Sequence, residues 1–359
     1  MIRGIFKNKL VLSILFVIGL SQSEASENDI YGIKIGFLLR HCSLRGTEIA
    51  SYDYADFNET LLGNESFVFL LTDGKYLVDQ KDYPSEVKAK FKDRFQDHFF
   101  ECANFDQVEE IIREKKIDIL YNLKSGRIDS HLSKFCKNAI HAVFLPFEIH
   151  GNVYATISNW MSQQTTGLNI PVVPHLVRLA DTSETLHAEL GIPPGAVVFG
   201  RHGGYDTFDI DFAKKAIQEL ATAYPEWYFV FLNTNPFCTL SNVIFLPGTS
   251  DLNYKTKFIN TCDAMIHARL LGETFGLSCA EFSVKNKPVI TYWGSQDRAH
   301  IDILGSYGLY YNDEEGLRNL VLFCGANIQE IRLSKWDAYS EQYSPTVVMQ
   351  QFDRIFIRP

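Results

Sequence analysis

A chain of 359 residues, 46% of them apolar and 13% aromatic, is long enough to bury two ordinary domain cores, and it has no low-complexity tract of the kind found in disordered or fibrous proteins. Its formal charge is −9 and no basic run follows the amino terminus, so it lacks the electrostatic footprint of a nucleic-acid binder and no nucleic acid is expected as a partner. The chain opens with Arg3, Lys7 and Lys9, an apolar run from Leu10 to Leu20, and a small polar stretch from Ser21 to Ser26 with Ala25 as a cleavage point. Residues 1–26 therefore read as a signal peptide or a short anchor, since an ordinary membrane-spanning helix needs about 20 apolar residues. The segment predicts a secretory or membrane-associated location, with a cytoplasmic one as the alternative, and membrane association through the apolar run. Two glycosylation sequons, at Asn58 and Asn64, fit a secretory lumen. The seven cysteines (Cys42, Cys102, Cys136, Cys238, Cys262, Cys279 and Cys324) pull the other way: they show no paired spacing, read as small buried hydrophobes, and mildly favour a reducing compartment.

From Ile33 onward, short apolar β-rich runs alternate with longer amphipathic stretches, which predicts an α/β fold with parallel sheets covered by helices. In the first half the expected strands are Ile33 to Leu39, Phe67 to Thr72, Ile117 to Leu123, Ala139 to Phe147 and Tyr154 to Ser158. A turn-rich passage from Gly167 to Pro174 interrupts the pattern and predicts an interdomain linker. The alternation then resumes, with strands expected at Val197 to Phe199, Tyr228 to Leu232, Val243 to Leu246, Ala264 to His267, Pro288 to Tyr292 and Leu309 to Tyr311. Between the first two of these, Ala213, Ile217, Leu220 and Tyr224 recur at helical spacing, and Pro225 marks the stop.

The most informative stretch runs from Asp263 to Glu281 and continues into Pro288-Val-Ile. A strand ends near His267, a loop carries Glu273, and a helix begins around Gly276. Unpaired N–H groups at a helix amino terminus attract anions, and Gly276 allows close approach, so a diphosphate fits there. Glu281, on the first turns of that helix, is placed to accept hydrogen bonds from two adjacent sugar hydroxyls, with Glu273 close to a second ring.

At these residues the sequence resembles the family 4 glycosyltransferases and their retaining GT-B relatives, which carry two glutamates in an E-x-F-G-L-x-x-x-E setting. Glu273, Phe275, Gly276, Leu277 and Glu281 match it. The resemblance implies two Rossmann-like βαβ domains facing across a cleft: an acceptor-side domain over residues 30–168, a nucleotide-sugar-binding domain over residues 169–335, and a carboxy-terminal helix over residues 336–359 returning to the first. It also implies that Glu281 binds the donor ribose, Glu273 the hydroxyls of the transferred sugar, and the backbone from Gly276 to Ser278 the phosphates. Arg201 follows the expected first strand of the second domain, where it would neutralise phosphate. A lysine usually follows about five residues later, but the stretch from His202 to Thr207 supplies none. Gly203 and Gly204 offer an anion nest or mark a tight turn, and Arg269 is a substitute charge. In the first half, Arg45-Gly46-Thr47-Glu48 resembles the family's glycine-rich loop, with Gly46 and Thr47 facing the donor, although Arg45 replaces the first glycine. Glu48 suits the start of a helix in any case. His150, after an apolar strand, matches the family's histidine at the cleft edge.

The expected activity is therefore transfer of a hexose-type sugar from a nucleoside-diphosphate sugar to a hydroxyl on a glycan, lipid or protein acceptor, with retention of configuration. The expected catalytic residues are His150, Arg201 and Glu273. In the resembled family a donor phosphate oxygen accepts the acceptor's proton, so protein residues mainly position groups and stabilise charge. No Asp-x-Asp motif is present, and neither a metal nor another cofactor is expected. The alternatives are a nucleotide-sugar epimerase of the same fold and an exported binding protein without catalysis.

Overall fold

The computed structural model describes residues 32–72, 84–165 and 167–358. The amino-terminal segment read as a signal or anchor lies outside the described residues. The first half alternates as β1 (Lys34–Leu39), α1 (Gly46–Thr60), β2 (Glu65–Leu71), α2 (Ser85–Phe95), β3 (Phe99–Cys102), α3 (Phe105–Lys115), β4 (Ile119–Lys124), β5 (Lys137–Ala142), β6 (Val153–Thr156) and α4 (Asn159–Gln163). Runs such as Phe-Val-Phe-Leu-Leu in β2 are buried throughout, because helices cover both faces of an all-parallel sheet. The strand order is β3-β2-β1-β4-β5-β6, and every neighbouring pair is parallel.

The second half repeats the plan: β7 (Val197–His202), α5 (Asp211–Ala223), β8 (Trp227–Leu232), β9 (Val243–Leu246), α6 (Leu252–Thr261), β10 (Ala264–His267), β11 (Gly272–Glu273), α7 (Leu277–Val284), β12 (Val289–Tyr292), β13 (Asp297–Arg298), α8 (Ala299–Leu304), β14 (Gly308–Tyr311) and α9 (Glu314–Ala326). Its large sheet runs β14-β12-β10-β7-β8-β9, also all parallel, while β11 and β13 form a separate two-stranded ladder. Read outward from β7, this is the same order as in the first sheet. In each sheet the direction of winding reverses at the central pair, β1/β4 and β7/β10. At such a reversal the loops leaving the strand carboxyl ends diverge and open a crevice for ligands.

The strands expected from the sequence are all present, and three more appear: β3 in the first sheet and the two-residue strands β11 and β13. The edge strand β3 was not expected: it has only four residues, and Phe100 and Glu101 are not buried, so it has no continuous apolar run. Among the described residues, no strand or helix lies between Gln163 and Val197; Val172 makes only an isolated parallel bridge with Thr156. His141 ties this connection to the first sheet, with Nδ1 at 2.7 Å from the Tyr121 hydroxyl and Nε2 at 2.7 Å from the Val173 carbonyl. After α10 (Ile328–Leu333), the chain forms α11 (Ser340–Tyr343), α12 (Pro345–Phe352) and a π-helical turn over Asp353–Ile357. These last elements pack on the first sheet. The Phe352 ring lies 5.2 Å from Tyr54, Phe356 lies 5.4 Å from Tyr121, and Lys137 Nζ donates to the Phe356 carbonyl at 2.7 Å.

Asn58 is fully buried at 0% exposure and donates to Ser66 Oγ, while Asn64 is buried and donates to Asn58 Oδ1. Neither amide can carry a glycan in the folded protein, which overturns the sequon reading. All seven cysteines are free thiols, and five of them are buried.

Candidate functional site

The β1 to α1 loop and the β10 to α7 segment both leave their sheets at the winding reversals, and they meet across a cavity of about 480 Å³. Helix α1 begins at Gly46 after an extended Arg45, and no side chain caps its first turn. Helix α7 begins after Gly276, again without a side-chain cap. Two sets of unpaired N–H groups, with their partial positive charge, thus border one cavity. The approach is close: a β-carbon on Gly46 would sit 3.4 Å from Leu277 Cδ1 across the cleft. Gly276 has φ +90°, and a β-carbon there would lie 2.8 Å from His300 Cβ, so this turn requires glycine.

Two carboxylates line the same cavity. Glu273, on β11, accepts from Arg269 at 2.9 Å and faces His267 Nε2 at 3.3 Å. Burial opposes its ionisation, but His267 and Arg269 outweigh burial and hold the carboxyl at about 2. Glu281, on α7, is 3% exposed; its Oε1 accepts from Lys255 Nζ, and its Oε2 lies 2.8 Å from His202 Nε2. Burial again opposes ionisation, and Lys255 and His202 again overcome it, to about 2. Both glutamates are therefore anions at neutral pH.

No protein-family model and no curated protein sequence matches this chain. Solved structures do. A glycosyltransferase from Rickettsia africae aligns over 90% of this chain and 98% of its own, with a TM-score of 0.61 at 12% identity. Anabaena HepE, solved with UDP and glucose, aligns over 90% of this chain and 98% of its own, with a TM-score of 0.62 at 15% identity. A putative UDP-N-acetylglucosamine 2-epimerase from Listeria monocytogenes aligns over 91% and 97%, with a TM-score of 0.56 at 12% identity. The chain has the GT-B fold.

The GT-B cleft brings together most of the residues singled out from the sequence. Gly46, Thr47, Arg201, Gly203, Gly204, Arg269, Glu273, Phe275, Gly276, Leu277, Ser278 and Glu281 all line it. Their roles in the fold differ. Phe275 is buried and packs edge-on against His175 and Tyr343, so it anchors the loop beneath the cleft. Arg201 is buried, and its guanidinium is committed to loops: it donates to the carbonyls of Gly204 and Asn233, to Thr234, and to Thr207 Oγ1 at 2.5 Å. Burial pushes its pKa down to about 10, which still leaves it charged at neutral pH. A β-carbon on Gly203 would lie 2.5 Å from Arg201 Nη2, and neither Gly203 nor Gly204 has a positive φ. The pair is therefore a tight turn wrapped on Arg201, and the left-handed residue that an anion nest requires is absent there.

His150 does not join the cleft. After β5 the chain doubles back along that strand, with the Asn152 N–H donating to the Asn138 carbonyl, so the strand end bordering the cavity is Val143 and Phe144. His150 instead sits beside Lys124, 3.2 Å from its Nζ, and edge-on to Tyr154. Sequence reasoning also missed His202 and Lys255. Lys255 left a signal: Leu252, Lys255 and Ile259 share one face of α6, and a lysine on the apolar face of a helix needs a buried partner.

Proposed function

We propose that this protein transfers a glycosyl group from a nucleoside-diphosphate sugar to an acceptor hydroxyl. The observation that carries the reading is the pair of uncapped helix amino termini, on α1 and α7, facing each other across a cavity that also holds two ionised glutamates. Backbone N–H groups and helix dipoles suit a diphosphate whose charge grows as it leaves, and ionised carboxylates suit sugar hydroxyls. The similar fold of Anabaena HepE, solved with UDP and glucose, supports this choice of ligand. In this reading the diphosphate lies at Gly276 to Ser278, Glu273 holds hydroxyls of a hexose, and transfer proceeds with retention. The acceptor approaches from the α1 side and belongs to a glycan, lipid or protein met in the secretory pathway or at a membrane.

The test is a screen of UDP-, GDP- and ADP-sugars by thermal shift and by product formation, on protein beginning at Glu27. One donor is expected to raise the melting temperature and to turn over. Replacing Glu273 with Gln is expected to lower turnover by about 10- to 100-fold while the nucleoside diphosphate still binds. If no nucleotide sugar binds, the reading fails. The epimerase-like fold relative gives a second reading, and interconversion of UDP-sugars without acceptor would favour it.

A further inference from the structure

Arg45, Arg201, Lys255 and Arg269 line the cavity, and of the last three Arg201 is the most fully spent. Arg201 gives its donors to the 203–207 and 233–234 loops. Arg269 donates to Glu273. Lys255 differs. An ammonium has three donors, and among the described residues Lys255 Nζ meets Glu281 alone. Its side chain borders both the 480 Å³ cleft and an adjoining chamber of about 310 Å³ between α1, α2 and α6. Glu281 lies four residues beyond Leu277, so its carboxylate is on the same face of α7, about one 5.4 Å turn inside the helix. Lys255 is thereby held beside the amino-terminal half of α7, while Glu281 Oε2 lies 2.8 Å from His202 Nε2. Two spare ammonium donors and a helix amino terminus converge on one part of the cleft. An anion with several oxygens matches that arrangement, and the stretch from His202 to Thr207 provides no competing lysine or arginine.

We propose that Lys255, steered by Glu281, is the cation that meets the diphosphate of the bound donor. The proposal rests on the nucleotide-sugar reading and adds a phosphate-binding residue from α6. Glu281 is then a positioning residue, acting through Lys255.

Calorimetric titration with UDP, GDP and ADP identifies the nucleotide that wild-type protein binds, and the matching nucleoside is then titrated alongside it. Lys255→Met is expected to weaken the diphosphate on the order of 10- to 100-fold while leaving the nucleoside unchanged, and Lys255→Arg to recover part of the loss. Because Lys255→Met strands a buried carboxylate, the Lys255→Met/Glu281→Gln pair, which removes both charges, is measured as well. It is expected to bind the diphosphate no worse than Lys255→Met alone. Undiminished diphosphate binding by the Lys255→Met protein, or equal weakening of diphosphate and nucleoside, overturns the proposal. A paired variant far weaker than Lys255→Met overturns the positioning role of Glu281. If wild-type protein binds none of the three diphosphates, the nucleotide reading fails and takes this proposal with it, whereas wild-type binding that Lys255→Met retains removes only the lysine.

Discussion

At Gly276 one missing β-carbon has two uses: it lets the backbone adopt φ +90°, and it leaves room for His300 behind the turn. Replacing it with Ala is expected to cost about 1–3 kcal/mol of stability, seen as a lower melting temperature, and to displace the first N–H groups of α7. If the substitution left both stability and nucleotide affinity unchanged, the account of this turn would be wrong. The Glu-x-Phe-Gly-Leu pattern was legible in the sequence because all its parts lie in one turn of chain, where local spacing dictates geometry. The roles of Arg201 and Lys255 were not. Arg201 reads like any arginine at a strand end until its loops are seen to wrap on it, and Lys255 meets Glu281 only after two helices pack.

Among the elements, α12 is the one whose loss should matter far from its place in the sequence. Phe352 is buried against Tyr54 and Tyr121, both from the first sheet and its helix. Replacing it with Ala is expected to destabilise the protein by about 3–5 kcal/mol, checked by denaturant unfolding. Periodicity revealed eleven of the twelve strands in the two large sheets, because strands covered by helices on both faces must be apolar runs. It failed at β3, an edge strand with a charged residue in a span of four. It also misled at His150, since the end of an apolar run does not say which way the chain turns next.

For the whole molecule, burial sets the response to acid. His141 and His175 are each pushed down to about 3 by burial, as is His300, whereas in an unfolded chain they titrate near 6.5. Between pH 6.5 and 4.5 the unfolded chain therefore binds three protons that the folded protein refuses. Asp53 opposes them: burial, only partly offset by Arg178, raises it from 3.8 to about 6, so the folded state holds one proton that the unfolded chain lacks. The net uptake belongs to the unfolded state, so stability falls as pH falls, by at most about 3 kcal/mol per pH unit. Below pH 4.5, Glu273 and Glu281, both held at about 2, add to the same loss. Melting temperatures measured from pH 7.5 to 5 should decline steadily, and a flat profile would contradict the buried neutral histidines.

The return of the last helix to the first sheet has a consequence for how the protein is made. Residues 33–156 contain all six strands of that sheet, yet Phe352 and Phe356 fill the hollow between Tyr54, Tyr121 and His141. Synthesis from the amino terminus delivers every strand of the second sheet before Phe352 and Phe356. The half that is synthesised first is thus completed later than the strands of the second sheet, once Phe352 and Phe356 are available to close its core.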